Sequence, residues 1–402
     1  MKIFNSICKL IRSTSSRRGP SQSPSARSRT LSPARLKYHA NAIHSVMEWK
    51  TVAVTALVIS LGFLAIPIKV PPDTSTEDVH LFETYVSYYN KSYRHDPEEY
   101  GRKFGRFQRS LRQIERMNRL RSTQESAYYG LTEYSDLSEE EFLSLTLRPD
   151  LSVRGERHRN DCPHRRKHGA HEEHLNRIKR LIKIPQKLDW RARGVVTPVR
   201  AQGSCGACWA YTVVACIESM VAIKNDTLRS FSVQEMIDCA GNGNFGCNGG
   251  DICSLLSWLE DNGVPILAES SYPVTGTAGT CLLDRSKTST VRVAGFACNS
   301  YVDSEEELIS TLVNHGPVAA AVNALTWQNY LGGIIQFHCD GAFSMLNHAV
   351  QIVGYDTSGP IPFYIVRNSW GPLFGDEGYL YIAIGKNICG IANQVAAVDV
   401  IL

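Results

Sequence analysis

Gln202-Gly203-Ser204-Cys205-Gly206-Ala207-Cys208-Trp209-Ala210 is the stretch on which the reading of this chain turns. An irregular, Gly-rich run ends at Cys208. Beyond it Val213, Cys216, Ile217, Met220 and Val221 recur at helical spacing, which predicts a helix with one apolar stripe starting at the cysteine. A thiol at a helix N-terminus meets unsatisfied backbone N–H groups and the positive end of the helix dipole. Both favour the thiolate, the form that attacks carbonyl carbon.

A thiolate nucleophile needs a base, and the base needs an orienting group. Only His315, His338 and His348 follow Ile184. His348 stands in Asn347-His-Ala-Val-Gln-Ile-Val-Gly-Tyr355, an apolar run that reads as a buried strand. Asn368 opens Asn368-Ser-Trp-Gly371, and Gln202 lies six residues before Cys208.

The remainder of the chain sets limits. Its 402 residues are too many for one typical domain, and 43% apolar with 20% charged residues reads as globular. The net charge of +4 is divided unevenly. Residues 1–183 carry 32 Lys/Arg against 20 Asp/Glu, and residues 184–402 carry 11 against 19. A basic front half and an acidic back half are suited to bind each other. The basic half has no nucleic-acid recognition motif, so no nucleic-acid partner is expected. Ten of the twelve cysteines follow Ile184, which suggests disulfides and an oxidising compartment.

Taken together, Cys205-Gly-Ala-Cys208-Trp209, the His348 strand and Asn368-Ser-Trp-Gly371 resemble the papain-like cysteine peptidases of the cathepsin family. His348 lies 140 residues after Cys208 and Asn368 lies 160 after it. The resemblance implies an α+β fold of two lobes, one helical and one barrel-like and β-rich, behind a helical inhibitory propeptide. It assigns Cys208 as nucleophile, His348 as its partner, Asn368 as the orienting amide and Gln202 as an oxyanion donor. Trp370 would shield the His–Asn bond. The activity implied is that of an endopeptidase made as a zymogen, because the paired-His loop that turns some relatives into exopeptidases has no counterpart between Ile184 and Asn314. The alternatives are a catalytically silent binding protein on the same fold and a propeptide-type inhibitor.

Earlier segments fit the same pattern. Residues 1–46 form a basic, Ser-rich tail without Asp or Glu, expected to be disordered. Residues 47–70 hold the uncharged run Thr51–Ile68, either a signal anchor read from Met1 or a cleaved signal peptide read from Met47. The compact Met47-Glu-Trp-Lys50 start favours the second. Residues 78–147 read as the propeptide domain. Glu99, Lys103, Phe107, Ser110, Ile114 and Asn118 share one helix face, like the ERFNIN helix of the family. Gly130-Leu-Thr-Glu-Tyr-Ser-Asp136 resembles its GxNxFxD element. Residues 148–183 are a basic, His-rich linker with processing sites, and 184–402 form the peptidase domain.

The resemblance also implies the pairs Cys205–Cys247, Cys239–Cys281 and Cys339–Cys389. It leaves Cys216, Cys253 and Cys298 without a role, the first two on predicted helices as buried thiols. Its substrate-binding positions map to Gly249, Gly250, Ile252, Ala321, Leu346, Ala349 and Gln394, with Asp251 at the rim of the specificity pocket and Gln394 at its far end. Four of these side chains are apolar, so the pocket is expected to take a mid-sized apolar group. Asn225-Asp-Thr227 and Asn90-Lys-Ser92 are glycosylation sequons. The expected partners are protein and peptide substrates, the chain's own propeptide and cystatin-type inhibitors, with a monomeric mature form, a lysosomal or secreted location, and no cofactor or metal.

Overall fold

The computed structural model describes residues 76–146, 184–283 and 290–402. The basic tail, the hydrophobic segment at 47–70 and the His-rich linker lie outside these residues. Among the described residues no helix is long and apolar enough to cross a membrane.

The N-terminal module packs helix α1 (Thr76–Tyr88) against helix α2 (Pro97–Arg119). Asp96 starts α2 by accepting from the Glu98 and Glu99 backbone N–H groups, with Pro97 at the first helical position. The face predicted from the sequence is the buried one: Lys103, Phe107 and Ser110 point inward, and Phe107 joins Phe82, Tyr85 and Val86 in a small aromatic core. Asn118 brackets the strand β1 (Tyr128–Tyr129), donating to the Tyr129 carbonyl and accepting from its N–H. A capping box formed by Ser138 and Glu141 begins helix α3 (Glu139–Thr146). Glu141 also takes Lys103 and Arg106 of α2, which fixes α3 to the module.

The remaining residues build two lobes. After β2 (Lys187–Asp189) come helices α4 (Cys208–Asn225), α5 (Val233–Cys239) and α6 (Ile252–Asp261). Then follow β3 (Arg292–Asn299), α7 (Glu305–Asn314), β4 (Val318–Val322), β5 (Tyr330–Gly332), β6 (Ile334–Ile335), β7 (His348–Asp356), β8 (Phe363–Arg367), β9 (Tyr379–Ala383) and β10 (Val395–Ile401). One sheet runs β3-β10-β4-β7-β8-β9-β6, antiparallel except for β6 beside β9, with β2 also on β7. β5 pairs separately with β1, so the N-terminal module adds a strand to the second lobe.

Helix α4 differs from its sequence reading. The spacing suggested one apolar stripe, yet every residue from Cys208 to Ala222 is buried. One side packs on α5 and α6, and the other lies along β7 and β10. A helix placed between two layers has no solvent face to mark with charge. Glu218, fully buried, is the exception, and it has partners: it accepts from Arg200, Thr197 and the Phe231 N–H. On the facing strands Arg367 donates to Gln351 and Thr197, and Gln351 donates to Ser219. These bonds form a polar seam between the lobes.

The three expected disulfides are present, Cys205–Cys247, Cys239–Cys281 and Cys339–Cys389. One expectation fails. Cys253 is not a buried thiol and Cys298 is not left over: they form a fourth disulfide between α6 and β3. Their sequence contexts, a helix and a strand 45 residues apart, carry no local signal of that approach. Cys216 is a buried thiol, as expected, pushed well above the usual range by burial despite the nearby Arg367 and Gln351.

Candidate active site

Cys208 is the first residue of α4 and His348 the first of β7, and these two elements pack together. Cys208 is buried and in no disulfide. His348 is fully buried, and its Nε2–H donates to Asn368 Oδ1 at 2.8 Å. The same Oδ1 accepts the Ser369 backbone N–H at 2.8 Å. An oxygen that takes a backbone donor must be the acceptor of the histidine bond as well, so the proton sits on Nε2 and Nδ1 is left with its lone pair. That is the tautomer of a base. Nδ1 has no hydrogen-bond partner in this buried site.

The Trp370 ring lies over His348 with centroids 4.9 Å apart, and Trp327 meets the same imidazole edge-on at 6.1 Å. Burial pushes the imidazole down to about 4, while the Asn368 bond pulls the other way. With the N-terminal module in place burial therefore favours the neutral ring.

Gln202 is buried beside these groups. Its Oε1 accepts from Ser369 Oγ at 2.6 Å, and its backbone N–H donates to the Ser369 carbonyl at 2.8 Å. Ser369 thus ties Gln202 and Asn368 together. The sequence reading quoted this serine but gave it no role. Gln202 Nε2 donates to the Cys205 carbonyl at 3.1 Å and to the carbonyl of Thr146, at the end of α3, at 3.3 Å. The N-terminal module therefore places a carbonyl oxygen against the amide that would receive a substrate's oxyanion.

Other contacts from that module surround the site. Phe142 and Tyr134 pack on Trp370 with centroids 5.4 and 5.9 Å away. Gln328 Nε2 donates to the Tyr134 and Leu137 carbonyls, Thr132 donates to the Gln328 carbonyl, and Ser135 donates to Asn329. Asp136 is buried and collects Tyr85, Tyr93 and Lys91. Gly332 lies so close to Tyr128 that a Cβ there would meet the phenol oxygen at 2.7 Å.

The residues expected to bind substrate fall as follows. Ala321 and Ala349 are register partners across β4 and β7. Ile252 opens α6, Leu346 is buried just before β7, and Gln394 precedes β10 and takes the Ala321 N–H on its carbonyl. Gly249 has φ +101°, and a Cβ on Gly250 would strike Asn244 and Trp209, so both positions demand glycine. Asp251 departs from expectation. It is 1% exposed rather than at a rim, because it caps α6 through the Ser254 N–H and accepts Gln394 Nε2 at 2.7 Å. Asn225 and Asn90, the sequon residues, are both exposed.

The papain family cysteine protease profile matches residues 184–398, and the cathepsin propeptide inhibitor domain (I29) matches residues 82–142. Cathepsin O of Homo sapiens is 37% identical over 305 residues, covering 76% of this chain and 90% of that protein. Cathepsin O of Mus musculus is 38% identical over 297 residues, covering 72% and 88%. Among solved structures, digestive procathepsin L 3 of Tenebrio molitor larval midgut superposes with a TM-score of 0.65 at 27% identity, over 81% of this chain and 100% of that one. The two-lobe α+β fold behind a helical propeptide is the fold of these precursors. The chain belongs to the papain family of cysteine proteases and carries a propeptide inhibitor domain ahead of its peptidase domain.

Proposed function

We propose that the chain is the zymogen of a cysteine endopeptidase that works through Cys208, His348, Asn368 and Gln202. The observation that carries this reading is the Asn368–His348 bond, whose shared Ser369 donor leaves Nδ1 as the basic nitrogen. Once the propeptide leaves, water reaches the imidazole and the charged ring becomes less costly. A thiolate–imidazolium pair then forms between Cys208 and His348. The thiolate attacks the scissile carbonyl. Gln202 Nε2, released from Thr146, donates to the developing oxyanion together with the Cys208 backbone N–H. His348 gives its proton to the leaving amine, an acyl-enzyme remains, and water hydrolyses it with His348 as base.

The substrate binds as an extended strand along the Gly249–Gly250 backbone. A mid-sized apolar side chain two residues before the cut bond enters the pocket formed by Ile252, Ala321, Leu346, Ala349 and Gln394, a burial worth about 1.5–3 kcal/mol. The disulfides and the acid maturation argued below suit a lysosomal or secreted enzyme. The test is direct. Cys208→Ala should abolish peptide hydrolysis and labelling by an epoxide that reacts with activated thiols, while Asn368→Ala should keep part of the rate. Full activity in the Cys208→Ala protein would overturn the reading.

A further inference from the structure

The four disulfides among the described residues do not do the same work. Cys205–Cys247 and Cys239–Cys281 close loops within the helical lobe, and Cys339–Cys389 closes one within the β-rich lobe. Cys253–Cys298 alone among them joins the two, from the first turn of α6 to β3. Where it crosses is informative. Cys253 follows Ile252, and Cys298 pairs in register with Ala396, two residues past Gln394. Gln394 spans the same gap: its Nε2 donates to Asp251 Oδ2 at 2.7 Å and lies 3.4 Å from Cys253 Sγ. One covalent bond and one hydrogen bond to a buried carboxylate thus connect the helical and β-rich walls of the proposed pocket. The Asp251 N–H in turn is held by Asn244 Oδ1, directly after the glycines proposed to bind the substrate backbone.

We infer that Cys253–Cys298 and the Asp251–Gln394 bond form a clasp across the lobe seam that fixes the width of the specificity pocket, making Cys253, Cys298 and Gln394 positioning residues for substrate. The inference rests on the pocket assignment above. The polar seam around Glu218 and Arg367 holds the lobes elsewhere. Loss of the clasp therefore loosens one wall and leaves the Cys208–His348–Asn368 geometry in place. Binding of a side chain that fills the pocket should weaken, and turnover of bound substrate should not.

The experiment compares mature wild-type enzyme with the Cys253→Ser/Cys298→Ser variant on two fluorogenic peptides, one with Leu and one with Ala two residues before the cut bond. The expected result is a KM for the Leu peptide raised about tenfold, the equivalent of one decade in binding, with kcat and the Ala peptide's KM unchanged. Cys239→Ser/Cys281→Ser, which removes a disulfide within one lobe, should leave both KM values alone. A variant that melts earlier but keeps the wild-type KM for both peptides would overturn the inference, as would a loss confined to kcat. Should the double variant fail to fold, Gln394→Glu decides. Two facing carboxyls can share a proton in acid and repel when both ionise, so its KM for the Leu peptide should rise with pH more steeply than the wild type's, and parallel profiles would refute the clasp. Wild-type enzyme that resists epoxide labelling would point instead to a failure of the catalytic reading.

Discussion

Glu235 is fully buried in the first turn of α5, where one oxygen accepts the Leu267 N–H and the other has no partner. Burial pushes its carboxyl up to about 7, with the Leu267 bond acting in the opposite direction. The folded value lies above the ordinary 4.5, so the folded protein holds this proton more tightly than the unfolded chain. Its contribution is fully present below about 4.5 and is lost as the pH rises toward 7, in all about 3 kcal/mol. In the melting of a Cys208→Ala precursor, which cannot process itself, Glu235 should therefore add a pH slope that favours mildly acid pH and opposes the slope from buried His348, whose lowered value favours neutral pH. Adding Glu235→Gln should remove the Glu235 part, and an unchanged slope would refute the assignment. Residue-scale chemistry of this kind was only partly legible in the sequence. The candidates Cys208, His348, Asn368 and Gln202 could be picked out from their neighbours in the sequence. Glu235 did not, since a glutamate in the first turn of a helix is an ordinary choice on dipole grounds, and only the packing around it makes it unusual.

At the scale of elements, the propeptide is held both by an apolar face, through which Ala127, Tyr129 and Phe142 join the core around Trp327 and Trp370, and by short polar contacts. Gln328 reaches two propeptide carbonyls, and β1 adds its strand to β5. Truncating that side chain removes two partly buried hydrogen bonds, although the Tyr134 carbonyl keeps the Leu137 N–H, at a cost of about 1–3 kcal/mol. Gln328→Ala should accordingly weaken inhibition of the mature enzyme by added propeptide by roughly tenfold or more, with kcat preserved. Equal inhibition constants would show that these bonds contribute nothing. The face of α2 was readable because one side is solvated and the other is not. The burial of α4 on all sides was hidden, since a periodicity needs a wet face to contrast with. The Cys253–Cys298 bond was hidden for a related reason: it joins elements that meet only when the lobes are assembled. The hidden Asp251 is another case, because the same residue type serves equally well as a helix cap and as a rim charge.

For the whole molecule, charge decides when the two parts separate. The chain before Ile184 is basic and the peptidase side acidic, with the basic excess in the tail and the His-rich linker at 148–183 rather than in residues 78–147. Within the propeptide, Glu141 holds α3 to α2. Burial opposes its charge, but the Ser138 N–H, Lys103 and Arg106 keep its carboxyl below the usual range. Being depressed, its contribution is present above the ordinary carboxylate value and lost only as the pH falls through the lower one. The clamp thus persists at neutral pH and weakens in acid, as does the attraction between the basic and acidic halves. The precursor should be latent at neutral pH and mature in acid, measured as conversion to the mature band against pH. Equal rates at pH 7 and pH 4 would contradict this.

The aromatic stack on Trp370 has an optical consequence. In the precursor the indole lies between His348 and the propeptide's Phe142 and Tyr134, and it is only 4% exposed. Departure of the propeptide removes two of those rings and admits water to the indole. Activation should therefore shift the intrinsic emission to longer wavelength. Trp370→Phe should remove most of that change while Trp190, Trp209 and Trp258 continue to emit. The precursor would then carry its own fluorophore for following, in real time and without added dye, the uncovering of His348.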